Sequence, residues 1–112
     1  MKRDHKIFIQ DVLSAIDSIN LFIEGMSFEL FRADDKTTSA VIRKFEIIGE
    51  AIKHIPNDIR EQYPEIPWKD IVGMRDRLIH GYFGIDYKIV WDTINVDLKI
   101  LKTNLQKVIE NM

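Results

Sequence analysis

The sequence predicts an all-α domain, an up-down bundle of four main helices with one short additional helix. Three observations predict it. Apolar residues recur at steps of three and four along most of the 112 residues, the spacing that keeps one face of a helix apolar. Breakers are sparse, with 5 Gly and 3 Pro, too few for the turns of a β-sandwich. A hydrophobic fraction of 46% is too high for a disordered chain, and 112 residues supply one core rather than two, so residues 1–112 read as a single domain.

The first helix is expected over residues 4–26, where Phe8, Val12, Ile16, Ile19, Ile23 and Met26 share one face. A polar stretch at residues 32–38 interrupts the pattern. Val41, Phe45, Ile48, Ile52 and Ile55 resume it until Pro56, whose ring and missing N–H stop a second helix. Residues 57–63 make a short helix closed by Pro64. Pro67 suits the first turn of another main helix over residues 68–80, with Gly81 as its C-terminal cap. Asp86 then reads as the N-cap of the last helix. Its stripe of Tyr87, Trp91, Ile94, Leu98, Leu101, Leu105, Val108 and Met112 alternates four and three, the seam of left-handed helix packing. This stripe reads as bundle core, with an extended coiled-coil partner as the alternative.

Composition narrows the chemistry. With no cysteine, thiolate catalysis, disulfides and Cys-based metal sites are excluded, which suits a cytoplasmic protein and leaves His, Arg, Asp, Glu and Tyr as reactive groups. Charges interrupt the N-terminal apolar residues before a signal-peptide core forms, and no apolar run reaches the roughly 18 to 20 residues of a membrane span. No membrane association is expected. Sixteen basic against 18 acidic residues give a net charge of −2, so any nucleic-acid partner requires a local positive cleft.

Arg75 departs from the helical pattern. On an ideal wheel with Ile71 at zero, Leu78 and Met74 fall near about −20° and −60°, and Ile79 and Val72 near about 80° and 100°. Arg75 falls near about 40°, inside this apolar arc, whereas Asp76 and Arg77 fall outside it. A guanidinium among apolar neighbours needs partners, because an unpaired buried charge costs several kcal/mol. Arg43, Glu46 and Glu50 on the polar side of the second helix are candidates, with a Glu46/Glu50 to Arg75 network as the expected arrangement. A packing or dimer-register role for Arg75 stays open at this point. His80 is separated from Arg75 by about 140° and 7.5 Å of ideal helix, so the two meet only if the helix unwinds near Gly81 or a second copy contributes. His5 and His54 read as surface histidines.

Arg75, His80 and Tyr82 are spaced as Arg, four residues, His, one residue, Tyr, and this resembles the motif of the HepT-like HEPN toxin family. The resemblance extends to FEIIGEAIK at residues 45–53, to the run from YPEIPWKDIVGMRDRLIHGYFGID at residues 63–86, and to IVWDTI at residues 89–94. It implies a HEPN-type helical bundle acting as a homodimer, with Arg/His motifs meeting in a cleft. It also implies a metal-independent endoribonuclease without cofactors, the toxin of a type VII toxin-antitoxin pair whose partner is a minimal MntA-like nucleotidyltransferase antitoxin. In that reading Arg75 binds phosphate oxygens, for which a planar fork of donors suits better than an ammonium, and His80 is the general base. The ribose 2′-OH of RNA is the nucleophile, so the product is a 2′,3′-cyclic phosphate. The second protomer's copy of the same histidine, or water, supplies the acid. Asp76 corresponds to the polar residue that follows the family's arginine and carries a supporting role, or is a solvated charge.

The same resemblance makes Tyr82 the acceptor of AMP from the nucleotidyltransferase, a modification that blocks RNA by charge and bulk. Packing on the apolar face is the alternative for this side chain. At the level of the whole protein, the alternative to a nuclease is a non-catalytic nucleotide-binding or regulatory subunit of a nucleotidyltransferase complex.

Overall fold

A computed structural model describes residues 5–79 and 84–112. The described residues form helices α1 (His5–Phe22), α2 (Phe28–Ala33), α3 (Asp35–Lys53), α4 (Asn57–Gln62), α5 (Trp68–Val72), α6 (Met74–Leu78), α7 (Tyr87–Asp92) and α8 (Leu98–Glu110). A π-helical turn, Thr93–Asp97, joins α7 to α8. The fold is all-α, as the periodicity predicts. α1 packs along α3 and against α8, while α5 and α6 lie against α3. None of the described helices is long and apolar enough to cross a membrane.

The core follows the predicted stripes. Val12, Ile16 and Ile19 of α1 are fully buried with Val41, Phe45, Ile48 and Ile52 of α3, and Ile94, Leu98, Leu105 and Val108 close the bundle. Ends are set by local chemistry. The Asp34 carboxylate accepts the Thr37 N–H at 3.0 Å and starts α3, and this bond holds its carboxyl below the usual carboxylate range. Asp86 caps α7 as expected, accepting the Ile89 N–H at 3.2 Å. Arg60 ties off the other end of α3, donating to the carbonyls of Ile52 and Ile55 at 2.6 and 3.0 Å. Trp68 Nε1 donates to the Arg60 and Tyr63 carbonyls, both at 3.1 Å, and so anchors α4 beside the start of α5.

Four expectations are corrected. α1 ends at Phe22 rather than residue 26, and the chain turns through Gly25 at φ +78°, a conformation glycine adopts without penalty. Residues 28–33 form the helix α2, capped by Ser27, whose hydroxyl accepts from Leu30 N–H; the polar stretch 32–38 holds its end and the start of α3. The helix expected over residues 68–80 is broken at Gly73 and ends at Leu78, where Ile79 is extended and pairs antiparallel with Ile85. The proposed cap Gly81 lies outside the described residues.

The last helix keeps its stripe but not its uniform period. The Thr93 hydroxyl donates to the Ile89 carbonyl at 2.7 Å, which also accepts the Thr93 N–H, and the Asn95 amide donates to the Trp91 carbonyl at 2.8 Å, so side chains share acceptors of the i to i−4 ladder. One turn widens, and the Leu98 N–H reaches back to the Thr93 carbonyl. Before the widened turn Val90 is buried and Tyr87 and Trp91 are only half-buried; at the far end Met112 is exposed.

Candidate active-site groove

α3 comes close to α5 at Gly49, where a methyl group would just touch the opposite backbone. A Cβ placed on Gly49 would meet the Val72 carbonyl oxygen at 3.4 Å and that of Ile71 at 3.9 Å. Gly49 is buried, so the two backbones come together there, and the residues on either side of it on α3 face the start of α6. A groove of about 1280 Å³ runs along this junction, lined by α1, α3 and α6. Arg43, Glu46, Glu50, Arg75 and Asp76 all line it.

Arg75 is not buried. Its side chain keeps 48% of its accessible surface, and its ion-pair partner among the described residues is Asp76, with Nη1 to Oδ1 at 3.7 Å. The reason lies in the backbone. The apolar arc that enclosed Arg75 was assembled from Ile71 and Val72, which belong to α5, from Met74 and Leu78 on α6, and from Ile79, which is extended. Across the break at Gly73 these residues share no single helical frame. Within α6 only Met74 and Leu78, four apart, are buried, and Arg75, Asp76 and Arg77 are exposed. Arg77 contributes to the break, because its Nη2 donates to the Asp70 carbonyl at 3.2 Å, the acceptor that the Met74 N–H takes in an uninterrupted helix.

The expected Glu46/Glu50 to Arg75 ion-pair network takes a different form. Glu46 pairs with Arg43 at 3.9 Å and Glu50 with Lys53 at 3.7 Å, both within α3. These are solvated helix pairs, each worth a few tenths of a kcal/mol at roughly i,i+3 spacing, so none commits its groups strongly. The guanidinium of Arg75 therefore lines the groove with one long ion pair among the described residues. His80 and Tyr82 lie outside the described residues. On either side of them, the Asp86 N–H donates to the Leu78 carbonyl at 2.8 Å, which holds the end of α6 to the start of α7.

Two histidines read as ordinary surface residues also line the groove. His54 follows α3 as its C-cap, and its ring stacks on Phe8 of α1 with centroids 5.0 Å apart and planes at 17°. His5 and Asp11 of α1 line the same wall. No local spacing joins these residues to Arg75; only the α1–α3 packing does. Charge in the groove is balanced rather than positive: among the described residues, Arg43, Lys53 and Arg75 stand against Asp11, Glu46, Glu50 and Asp76. The positive cleft expected for a nucleic-acid partner is absent from these residues of one chain. Among them, no three His, Asp or Glu gather into a group able to hold a metal ion.

Comparison with known proteins connects this groove to a family. The family model described as "Ribonuclease HepT-like" matches residues 12–108. A Thermococcus cleftensis chain named "Probable ribonuclease HepT" is 49% identical, with 96% of this chain and 97% of the relative covered. A Methanocaldococcus jannaschii protein provisionally named as an RNase is 48% identical over 99% of this chain and 96% of its own length. A Caldanaerobacter subterraneus protein, also provisionally named as an RNase, is 39% identical over 92% of each chain. No solved structure gives a significant match.

Proposed function

Because this chain belongs to the HepT-like ribonuclease family, we propose that it is an endoribonuclease, the toxin of a toxin-antitoxin pair, that cleaves RNA at a site built around Arg75 and His80. The observation that carries the reading is the exposure of Arg75: a guanidinium half-exposed at the edge of a wide groove, its one ion pair among the described residues 3.7 Å long, is available to an anionic ligand. A phosphodiester is such a ligand. Two guanidinium N–H groups on its non-bridging oxygens stabilise the charge that builds there as the phosphorus becomes five-coordinate.

RNA provides the rest of the electrophile and nucleophile. His80 removes the proton of the ribose 2′-OH, the 2′-oxygen bonds to phosphorus, and the bond to the 5′-oxygen breaks, leaving a 2′,3′-cyclic phosphate and a 5′-hydroxyl. No metal enters these steps. The departing oxygen takes its proton from an acid that one histidine cannot also be, and a homodimer offers the partner protomer's copy. Asp76, paired with Arg75, orients the guanidinium, and Arg43, Glu46 and Glu50 set the charge around it. A cognate nucleotidyltransferase in the cytoplasm neutralises the toxin by transferring AMP to Tyr82, a modification that blocks RNA by charge and bulk.

Separate Arg75→Ala and His80→Ala variants test the nuclease. Each is expected to lose about 10² to 10³-fold in RNA cleavage while the protein remains folded, with Arg75→Lys recovering only part. Cleavage that survives in both folded variants rejects the site. Intact-mass analysis of the protein made with and without its nucleotidyltransferase, followed by cleavage assays of both forms, tests the modification. If a Tyr82→Phe protein gains the same mass, Tyr82 is not the acceptor. Stable partner binding by an unmodified dimer that cleaves no RNA supports the regulatory-subunit reading instead.

A further inference from the structure

We propose that the stacked Phe8–His54 pair is a nucleobase platform, a binding subsite for a base that flanks the scissile phosphate; this rests on the RNA-cleaving reading of the groove. The groove's charges favour such a device. Among the described residues of one chain three cations stand against four carboxylates, so phosphate attraction from these residues supplies little net affinity for RNA, and contacts that do not depend on charge add to it. Stacking of bases on aromatic rings is the sequence-tolerant contact that proteins use for single-stranded nucleic acid.

The geometry suits the role. Phe8 is half-buried and packed against the core, so it is a fixed support. It covers one face of the His54 imidazole at 5.0 Å and 17°, and His54 is itself exposed, so its ring has surface left for a planar ligand. The backbone of His54 is held as well, since its N–H bonds to the carbonyls of Ala51 and Ile52 at the end of α3. His54 lies five residues beyond Gly49, about 7.5 Å along the helix from the contact with Val72, whereas Arg75 lies three residues beyond Val72 on α6. Both line the one groove from different helices, so a base stacked on the platform belongs to a nucleotide neighbouring the reacting one. Lys53, adjacent to His54 and lining the same groove, is placed for the phosphate of that nucleotide.

The test is fluorescence anisotropy with labelled 2′-O-methyl hexanucleotides, which lack the attacking hydroxyl, carrying one abasic position walked along the strand. For the wild-type protein, one position is expected to show about a tenfold loss of affinity when its base is removed. His54→Ala is expected to weaken the intact strand by a similar factor and to erase that positional penalty, and His54→Phe to retain it, because a phenyl ring stacks without titrating. Identical abasic profiles for wild type and His54→Ala overturn the platform. So does a His54→Phe profile that matches His54→Ala, or a wild type that binds none of the strands. Cleavage of unmodified RNA, measured in parallel, separates this inference from its premise. A wild type that shows the His54-dependent penalty and cleaves nothing sinks the nuclease and keeps the platform. One that cleaves with no such penalty does the reverse.

Discussion

The α1–α3 pair and the stretch from α5 to the π turn are built from the same kinds of residues but obey different rules. In α1 and α3 the residues that the period of 3.6 places inward are the buried ones: Val12, Ile16 and Ile19 face Val41, Phe45, Ile48 and Ile52. Among the described residues between Trp68 and Leu98 the period fails at Gly73, at Leu78 and across Thr93–Asp97. The irregular half is also the half that carries Arg75. Helices α1 and α3 keep their ideal geometry while their outer faces line the groove, whereas the segment that presents Arg75 gives up a helical hydrogen bond at the Asp70 carbonyl to the Arg77 side chain. The positioning of Arg75 is thus separated along the chain from the stripes that build the core.

That separation is broken or upheld by paired substitutions. Phe45→Ala, in the regular half, removes a large ring that is 1% exposed and leaves a cavity in the core. It is expected to cost about 3 to 5 kcal/mol in denaturant unfolding, a large share of the total stability of a domain this size. Arg75→Ala, in the irregular half, removes a half-exposed side chain and is expected to change stability by less than about 0.5 kcal/mol while abolishing most cleavage. If Arg75→Ala unfolds the protein as Phe45→Ala does, the guanidinium is structural and the contrast collapses.

Gly49 tests the joint between the halves. Its Cβ position is 3.4 Å from the Val72 carbonyl oxygen, an ordinary contact, so Gly49→Ala is expected to be tolerated, with helix propensity offsetting the crowding. Gly49→Leu has no such room. Its side chain pushes the α5 backbone away from α3, at an expected cost of about 1 to 3 kcal/mol, and moves α6 with it. Cleavage per folded molecule should fall as well. Full activity in a destabilised Gly49→Leu protein would mean that the α3–α5 distance does not set the position of Arg75.

The same division decides what was legible in the sequence. Stripes in α1, α3 and α8 were readable because burial repeats there with the helical period, and the caps at Pro56 and Asp86 are chemistry of single residues. α2 was missed because six residues give fewer than two turns of pattern, although Ser27 in front of them is an N-cap type. The exposure of Arg75 was unreadable for a different reason: a helical wheel assumes one frame, and a side chain's choice of a carbonyl, such as that of Arg77 for Asp70 seven residues back, leaves no trace in spacing. His54 and Phe8 are remote in sequence, so only the packing of α1 on α3 reveals that they meet. The motif spacing of Arg75, His80 and Tyr82 carried the family, which the comparisons bear out.

The smallest expected effect probes the break itself. Arg77 is exposed, and its one hydrogen bond among those described is to the Asp70 carbonyl, so Arg77→Ala should change stability by no more than about 0.5 kcal/mol. The released carbonyl is then free to accept from the Met74 N–H. Gly73, at φ −84° and ψ 0°, sits in the bridge region, about 40° in ψ from helical values, and a glycine offers little resistance to that change. Joining α5 to α6 in one frame turns Arg75 toward the arc of Ile71, Met74 and Leu78, so the variant is expected to lose cleavage several-fold with KM rising more than kcat falls. Arg77→Lys, which keeps a donor of similar reach, should recover part of the loss. A variant with normal cleavage and normal stability would show that the break belongs to Gly73 and not to Arg77, and Gly73→Ala would then become the decisive substitution.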